Sequence, residues 1–115
     1  MKNATVFLVF TLVLASCGIL NNGEPVKQIA TIQTNAQCGD CKDRIEEELN
    51  FTSGVIYAEL DLETKKVEVK YNSKRITVDV IKKTIASIGY NADDVKADET
   101  AQAELPACCQ PGGHD

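Results

Sequence analysis

Residues 56–71, Ile56-Tyr57-Ala58-Glu59-Leu60-Asp61-Leu62-Glu63-Thr64-Lys65-Lys66-Val67-Glu68-Val69-Lys70-Tyr71, read as a β-hairpin. Ile56, Ala58, Leu60 and Leu62 alternate with Tyr57, Glu59 and Asp61, the period-two pattern of a strand buried on one face. Glu63 to Lys66 is a polar turn. Beyond it Val67, Val69 and Tyr71 point one way and Glu68 and Lys70 the other, which gives a second strand.

Outward from the hairpin, the period changes. Cys41, Ile45 and Leu49 recur at every fourth position from Cys41 to Asn50, a helical spacing, and Ser53-Gly54 ends that helix. On the far side Thr77 or Asp79 can cap a second helix, whose apolar face is Val78, Ile81, Ile85 and Ile88 and whose stop is Gly89. Lys27 to Thr34 is β-rich, and Tyr90 to Lys96 reads as a last strand. The order β-α-β-β-α-β predicts an α+β, ferredoxin-like sandwich with two helices on one face of a four-stranded antiparallel sheet. Its expected core is Ile45, Leu49, Ile56, Leu60, Val67, Val69, Ile81, Ile85 and Ile88. At roughly 70 residues such a domain is near the lower limit for a self-sufficient core.

Between the first strand and first helix stands Cys38-Gly39-Asp40-Cys41. Thiolates bind soft metal ions, and two at this spacing can grip one ion from a single loop. The loop ends where a helix begins, so exposed backbone N–H groups and the positive end of the helix dipole favour the ionised thiols. Cys-x-x-Cys serves redox dithiols as well as metal sites. Asp40 opposes thiolate formation but favours a bound cation. Glu46-Glu47-Glu48 reads as a solvated helix face, and Lys65-Lys66 as part of the turn.

The two ends differ from this middle. Lys2 precedes an apolar run from Ala4 to Ala15, too short to span a bilayer of roughly 30 Å and suited to the h-region of a secretory signal. It closes on Leu14-Ala15-Ser16-Cys17, which resembles the lipobox of bacterial lipoproteins, where the signal is cut before the cysteine and the cysteine carries the lipid. The expectation is a signal peptide over 1–16, a lipid on Cys17 and a flexible tether over 17–26, holding an exported protein on a membrane and facing the periplasm or cell exterior.

Without residues 1–16, which carry Lys2 and no acid, 11 basic and 17 acidic side chains remain, a net of −6. An acidic domain poor in aromatic residues excludes nucleic acid as a partner, since that needs a basic footprint. It suits a basic face on a partner protein. Cys17 aside, the remaining cysteines fall into two tight pairs, Cys38/Cys41 and Cys108/Cys109, which are not spaced to staple distant parts of a fold. The tail over 97–115 is polar and Ala-rich at first, with Asp98 or Thr100 able to start a short helix that Pro106 stops. It ends in Cys108-Cys109-Gln110-Pro111-Gly112-Gly113-His114-Asp115, a flexible Cys/Cys/His ligand set. Adjacent cysteines disfavour a mutual disulfide. The tail can form its own site or fold back onto Cys38/Cys41.

Residues 27–96 resemble the heavy-metal-associated domain of copper chaperones, metal-pump N-terminal modules and the periplasmic mercury-binding protein. The resemblance rests on Cys38-x-x-Cys41 followed by Ile45 and Leu49, then Gly54-Val55, then Leu62 four residues before Val67-Glu68-Val69, then Ile85 and Ile88-Gly89-Tyr90. It implies Cys38 and Cys41 as metal ligands, Tyr90 in a loop close to them, and a soft ion held in an open site and passed on by ligand exchange. It implies no enzymatic activity. Two features depart from the family pattern. Asn35-Ala36-Gln37 stands where Gly-Met-x precedes the first ligand, and Ile32 lies one place farther from Cys38.

These readings predict soft-metal binding, sequestration or relay. Cu(I) is the first expectation, and Zn(II), Hg(II) and Cd(II) are also admitted by ligand softness. Cys38 and Cys41 are the primary ligands, Cys108, Cys109 and His114 auxiliary ones, and Tyr90 stands behind them. The expected partners are a metal-donor or metal-acceptor protein such as a metal transporter, the membrane through Cys17, and a second copy sharing an ion as a metal-bridged homodimer. The competing readings are extracytoplasmic thiol–disulfide exchange, with Cys38 attacking and Cys41 resolving, and an interaction domain whose cysteines are structural.

Overall fold

The computed structural model describes residues 26–111. The proposed signal, Cys17, most of the tether and His114 lie outside the described residues. Element order is β1 (Lys27–Gln33), α1 (Gly39–Asn50), β2 (Val55–Asp61), β3 (Lys66–Asn72), α2 (Val78–Ser87) and α3 (Glu99–Ala103), followed by a 3-10 turn at Ala107–Cys109.

The hairpin forms as its alternation predicts. β2 and β3 pair antiparallel, Leu60 opposite Val67 and Ala58 opposite Val69, with the turn held by Asp61, whose carbonyl accepts from the Lys65 N–H and whose carboxylate accepts from the Glu63 N–H. β1 pairs antiparallel with the other edge of β3, placing Ile32 opposite Val67 and giving the order β1-β3-β2. β1 and β2 therefore run parallel with β3 between them, joined by α1, which is the split β-α-β arrangement. The inward residues Ile32, Leu60, Val67 and Val69 meet Ile45 and Leu49 of α1 and Ile81 and Ile85 of α2, all at 0–1% exposure.

The sheet has three strands, not the expected four. Tyr90–Lys96 does not form a strand among the described residues. Ala92 bridges to Thr34 and, through a tight local turn, to Val95; the Ala92 and Val95 backbones exchange hydrogen bonds at 2.9 Å. Asp93, at a positive φ of 52°, donates its N–H to the Gln33 carbonyl and receives the Gln33 N–H on its side chain. A carboxylate thus takes the place of the next ladder carbonyl, and the chain turns away from β1. It continues into α3, capped by the Asp98 carboxylate on the Thr100 and Ala101 N–H groups. Among the described residues the α-helices therefore number three, with the short α3 added to the two expected.

Two expected core residues differ. Ile56 is 46% exposed because the register shifts between Val55 and Tyr57, which turns Ile56 out and leaves Ala58 and Leu60 facing in. Ile88, at the end of α2, is only partly buried. Gly54 closes the α1–β2 turn at φ 97°, and a Cβ there would sit 2.9 Å from Ile76 Cβ and Cγ2. Gly54→Ala is expected to cost about 1–3 kcal/mol, read as a lower urea midpoint; an unchanged midpoint would contradict this packing. No helix of the described residues is long and apolar enough to cross a membrane.

Candidate metal centre

Cys38 is the N-cap residue of α1. Its extended backbone (φ −147°, ψ 176°) turns the chain out of the loop after β1, and its carbonyl accepts the Lys42 N–H at 3.1 Å. Its side chain caps no backbone N–H, so the sulfur stands at the helix end, where the dipole stabilises negative charge. One turn on, Cys41 points inward from the face that also carries Ile45 and Leu49 and is fully buried. Ala36, where the resembled family has methionine, is also fully buried and joins the core beneath the loop. Asn35 ties this loop to the Gly89–Asn91 segment by accepting the Asn91 N–H at 2.9 Å.

The tail is docked on this loop. Gln37 Nε2 donates to the Gln110 carbonyl at 2.7 Å, and Gln110 Nε2 donates back to the carbonyls of Ala103 and Leu105. Leu105 and Cys109 are buried in the main core. Upstream, the Asp98 N–H bonds the Ala86 carbonyl, and α3 lies so close to Gly89 (φ 103°) that a Cβ there would meet the Gln102 backbone at 3.0 Å.

Four sulfurs consequently converge. Cys38 Sγ lies 3.4 Å from Cys41 Sγ, 2.9 Å from Cys108 Sγ and 3.7 Å from Cys109 Sγ, and Cys108 and Cys109 are 3.9 Å apart. Cys38, Cys108 and Cys109 have all their sulfurs within 4.8 Å of one another. Cys38 and Cys108 are half-exposed at the rim, while Cys41 and Cys109 form the floor. Asp40 Oδ2 stands 3.7 Å from Cys108 Sγ.

The electrostatics favour a cation. Burial, and then the neighbouring Cys41 thiol, push the Cys109 thiol well above the usual cysteine value. The contact with Cys38 and then burial raise Cys108, with Asp40 adding to the effect. Those two thiols therefore stay protonated at neutral pH until a positive charge replaces their protons, and a soft ion that prefers sulfur is the charge that fits. Tyr90 is fully buried under the floor. Burial, then Cys109 and Cys41, raise its hydroxyl, which lies against those thiols and has no hydrogen-bond partner among the described residues. A buried unpartnered hydroxyl is costly, so Tyr90→Phe is expected to stabilise the metal-free protein by about 1 kcal/mol in thermal unfolding. A fall in stability would show that the hydroxyl has a partner.

Among the residues expected at the site, Cys38, Cys41, Cys108, Cys109 and Tyr90 come together; His114 and Cys17 lie outside the described residues. The Gln37–Gln110 clasp and the burial of Leu105 were not foreseen. Leu105 is the one large apolar residue of an otherwise polar segment, and that isolation was the available signal; the glutamines gave none.

A thiol cluster at a helix N-terminus, on this split sheet, defines a small domain whose site is compatible with a soft metal ion such as Cu(I). The profile of the "Heavy-metal-associated domain" family matches residues 27–91, more than half of the 115-residue chain, and the chain belongs to that family. It is 40% identical over 70 residues to a copper-exporting P-type ATPase of Staphylococcus saprophyticus, a match covering 59% of this chain but 9% of the pump, so the chain spans only a small part of that relative. It is 39% identical over 54 residues to the copper chaperone CopZ of Staphylococcus aureus (strain bovine RF122 / ET3-1), covering 47% of this chain and 79% of the chaperone. A solved CopZ metallochaperone superimposes with a TM-score of 0.55 at 30% identity, covering 56% of this chain and 98% of that one. The two CopZ relatives are named as chaperones of copper or metal, and this chain shares their domain.

Proposed function

We propose that this protein is a membrane-tethered, extracytoplasmic carrier that sequesters or relays Cu(I). The observation that carries the reading is the convergence of the Cys38, Cys41, Cys108 and Cys109 sulfurs at the N-terminus of α1. Cys38 and Cys41 are the primary ligands, Cys108 and Cys109 auxiliary ones, and His114 a further donor on the glycine-rich end. Tyr90 stands ready to donate its hydroxyl hydrogen to a metal-bound thiolate of the floor. The division proposed is a signal over 1–16, a lipid-bearing Cys17 with a tether to residue 26, a heavy-metal-associated domain over 27–96 and a ligand-bearing tail over 97–115. Support for export comes from the charge and apolar run of the first residues and the Leu14-Ala15-Ser16-Cys17 sequence.

The partner is the metal-binding module of a copper-transporting P-type ATPase, a protein class that includes similar sequences. The acidic surface of this chain would meet a basic face on that module. A second copy is the other thiol-bearing partner, sharing an ion between two Cys38/Cys41 loops. Cu(I)-loaded, reduced protein mixed with such a pump module and separated by ion exchange tests the relay. Copper should distribute between the two within the mixing time. Copper retained wholly on this chain would remove the relay and leave sequestration.

A further inference from the structure

Resting on the metal-carrier reading just given, we propose that the docked tail converts the Cys38/Cys41 entry site into a closed, three-thiolate site, in which Cys38, Cys108 and Cys109 hold the loaded ion and Cys41, a primary ligand on entry, is the one exchanged during entry and release. With metal–sulfur bonds of about 2.3 Å, two thiolates in a line stand about 4.6 Å apart, and three in a trigonal plane about 4.0 Å. Cys38 and Cys41 are 3.4 Å apart, too close for linear coordination without opening the loop. The Cys38–Cys109 and Cys108–Cys109 separations of 3.7 and 3.9 Å are close to the trigonal spacing. The remaining edge, Cys38 to Cys108 at 2.9 Å, needs only to widen, and both its residues are at the half-exposed rim.

The tail reaches this position through built contacts. Leu105 and Cys109 are in the core, and the Gln37–Gln110 clasp closes over the loop. The fully buried Tyr90 hydroxyl, without a hydrogen-bond partner among the described residues, adds a polar atom beneath the Cys41 and Cys109 floor. The tail supplies within one chain the extra thiolates that a partner's loop would otherwise bring. It also covers the face on which that partner must dock.

Exchange at the pivot is balanced as follows. An ion entering on Cys38 and Cys41 gains bonds to the Cys108 and Cys109 sulfurs in turn, and each of these thiols gives its proton to water. The bond to Cys41 breaks, and the Cys41 thiolate takes up a proton. Copper remains Cu(I) throughout, and no electron moves. Release runs in reverse once the tail lifts.

X-ray absorption at the copper edge distinguishes two-fold from three-fold thiolate coordination. It should be recorded on the reduced, Cu(I)-loaded full chain, on Cys108→Ser, and on Cys108→Ser/Cys109→Ser. Three-fold coordination is expected in the full chain and two-fold in the double variant. Withdrawal of copper by a soluble chelator should be at least about tenfold faster from the double variant, the effect of about 1.4 kcal/mol at the barrier. The single variant changes only a half-exposed residue and keeps the test valid if the double variant unfolds; it too should fall to two sulfurs or exchange faster. Two-fold coordination and equal withdrawal rates in all three proteins would overturn the proposal while leaving the carrier function intact. Failure of the full chain to bind Cu(I) at all would overturn both.

Discussion

Replacing both loop thiols, Cys38→Ser/Cys41→Ser, is expected to lower Cu(I) affinity by at least about a thousandfold, or about 4 kcal/mol. Cys38 is the sulfur nearest to all the others, with neighbours at 2.9, 3.4 and 3.7 Å. With both loop thiols replaced, Cys108 and Cys109 are left as adjacent residues 3.9 Å apart, with no other cysteine among the described residues. A hydroxyl is a hard, poorly ionised donor and does not replace a thiolate on a soft ion. Cys38 is the N-cap residue of α1 and Cys41 lies in its first turn, and the helix does not depend on a side-chain cap from Cys38, so the fold should survive. Circular dichroism of the variant checks that. A variant that kept native Cu(I) affinity in chelator competition would place the site elsewhere.

Ile45→Ala is the second large effect. Ile45 lies one turn beyond Cys41 on the buried face of α1 and is fully enclosed with Leu49, Leu60 and Val67. Removing its branched chain leaves a cavity between helix and sheet, at a cost of about 2–5 kcal/mol. Domains have only about 5–15 kcal/mol in total, and small ones are at the low end, so the metal-free variant should be near unfolding at physiological temperature. Insofar as Cu(I) binds the folded form more tightly than the unfolded one, saturating Cu(I) should restore part of the loss, at most about 2.7 kcal/mol at a hundredfold excess over Kd. Urea unfolding with and without Cu(I) measures both. A cost below about 1 kcal/mol would mean that the helix–sheet contact does not carry the core.

What could be read in the sequence follows from which forces are local. The period-two alternation around Leu60 and Val67 and the four-residue spacing of Cys41, Ile45 and Leu49 are properties of neighbouring residues, and both elements form as read. The placement of Cys38 at the helix start was legible for the same reason. Ile56 fits the alternation but is turned out by a register shift that depends on how β3 pairs, a tertiary matter. The fourth strand failed at Asp93, whose side chain accepts the Gln33 N–H and so replaces the ladder by a turn. Nothing within Tyr90–Lys96 itself announces a partner 60 positions earlier. The tail was read as a flexible ligand set, with its folding back left open. Its seat depends on Leu105 entering a core built by distant residues and on Gln110 meeting Gln37, and neither has a periodic signature.

That seat changes how the site works. An ion on Cys38 and Cys41 alone would face solvent and any incoming thiol. With Cys108 and Cys109 alongside, the same ion meets further sulfurs before it meets a partner. Gly89 is part of this arrangement, because only a residue without a Cβ lets α3 approach the end of α2 so closely.

The most direct test of the central claim is Cu(I) competition between the reduced native chain and a chromogenic chelator of known affinity, with Zn(II) measured in parallel. The reduced chain should take Cu(I) from the chelator up to a defined stoichiometry and hold Cu(I) more tightly than Zn(II). Copper left entirely on the chelator, with the thiols reduced and the fold intact, would contradict it.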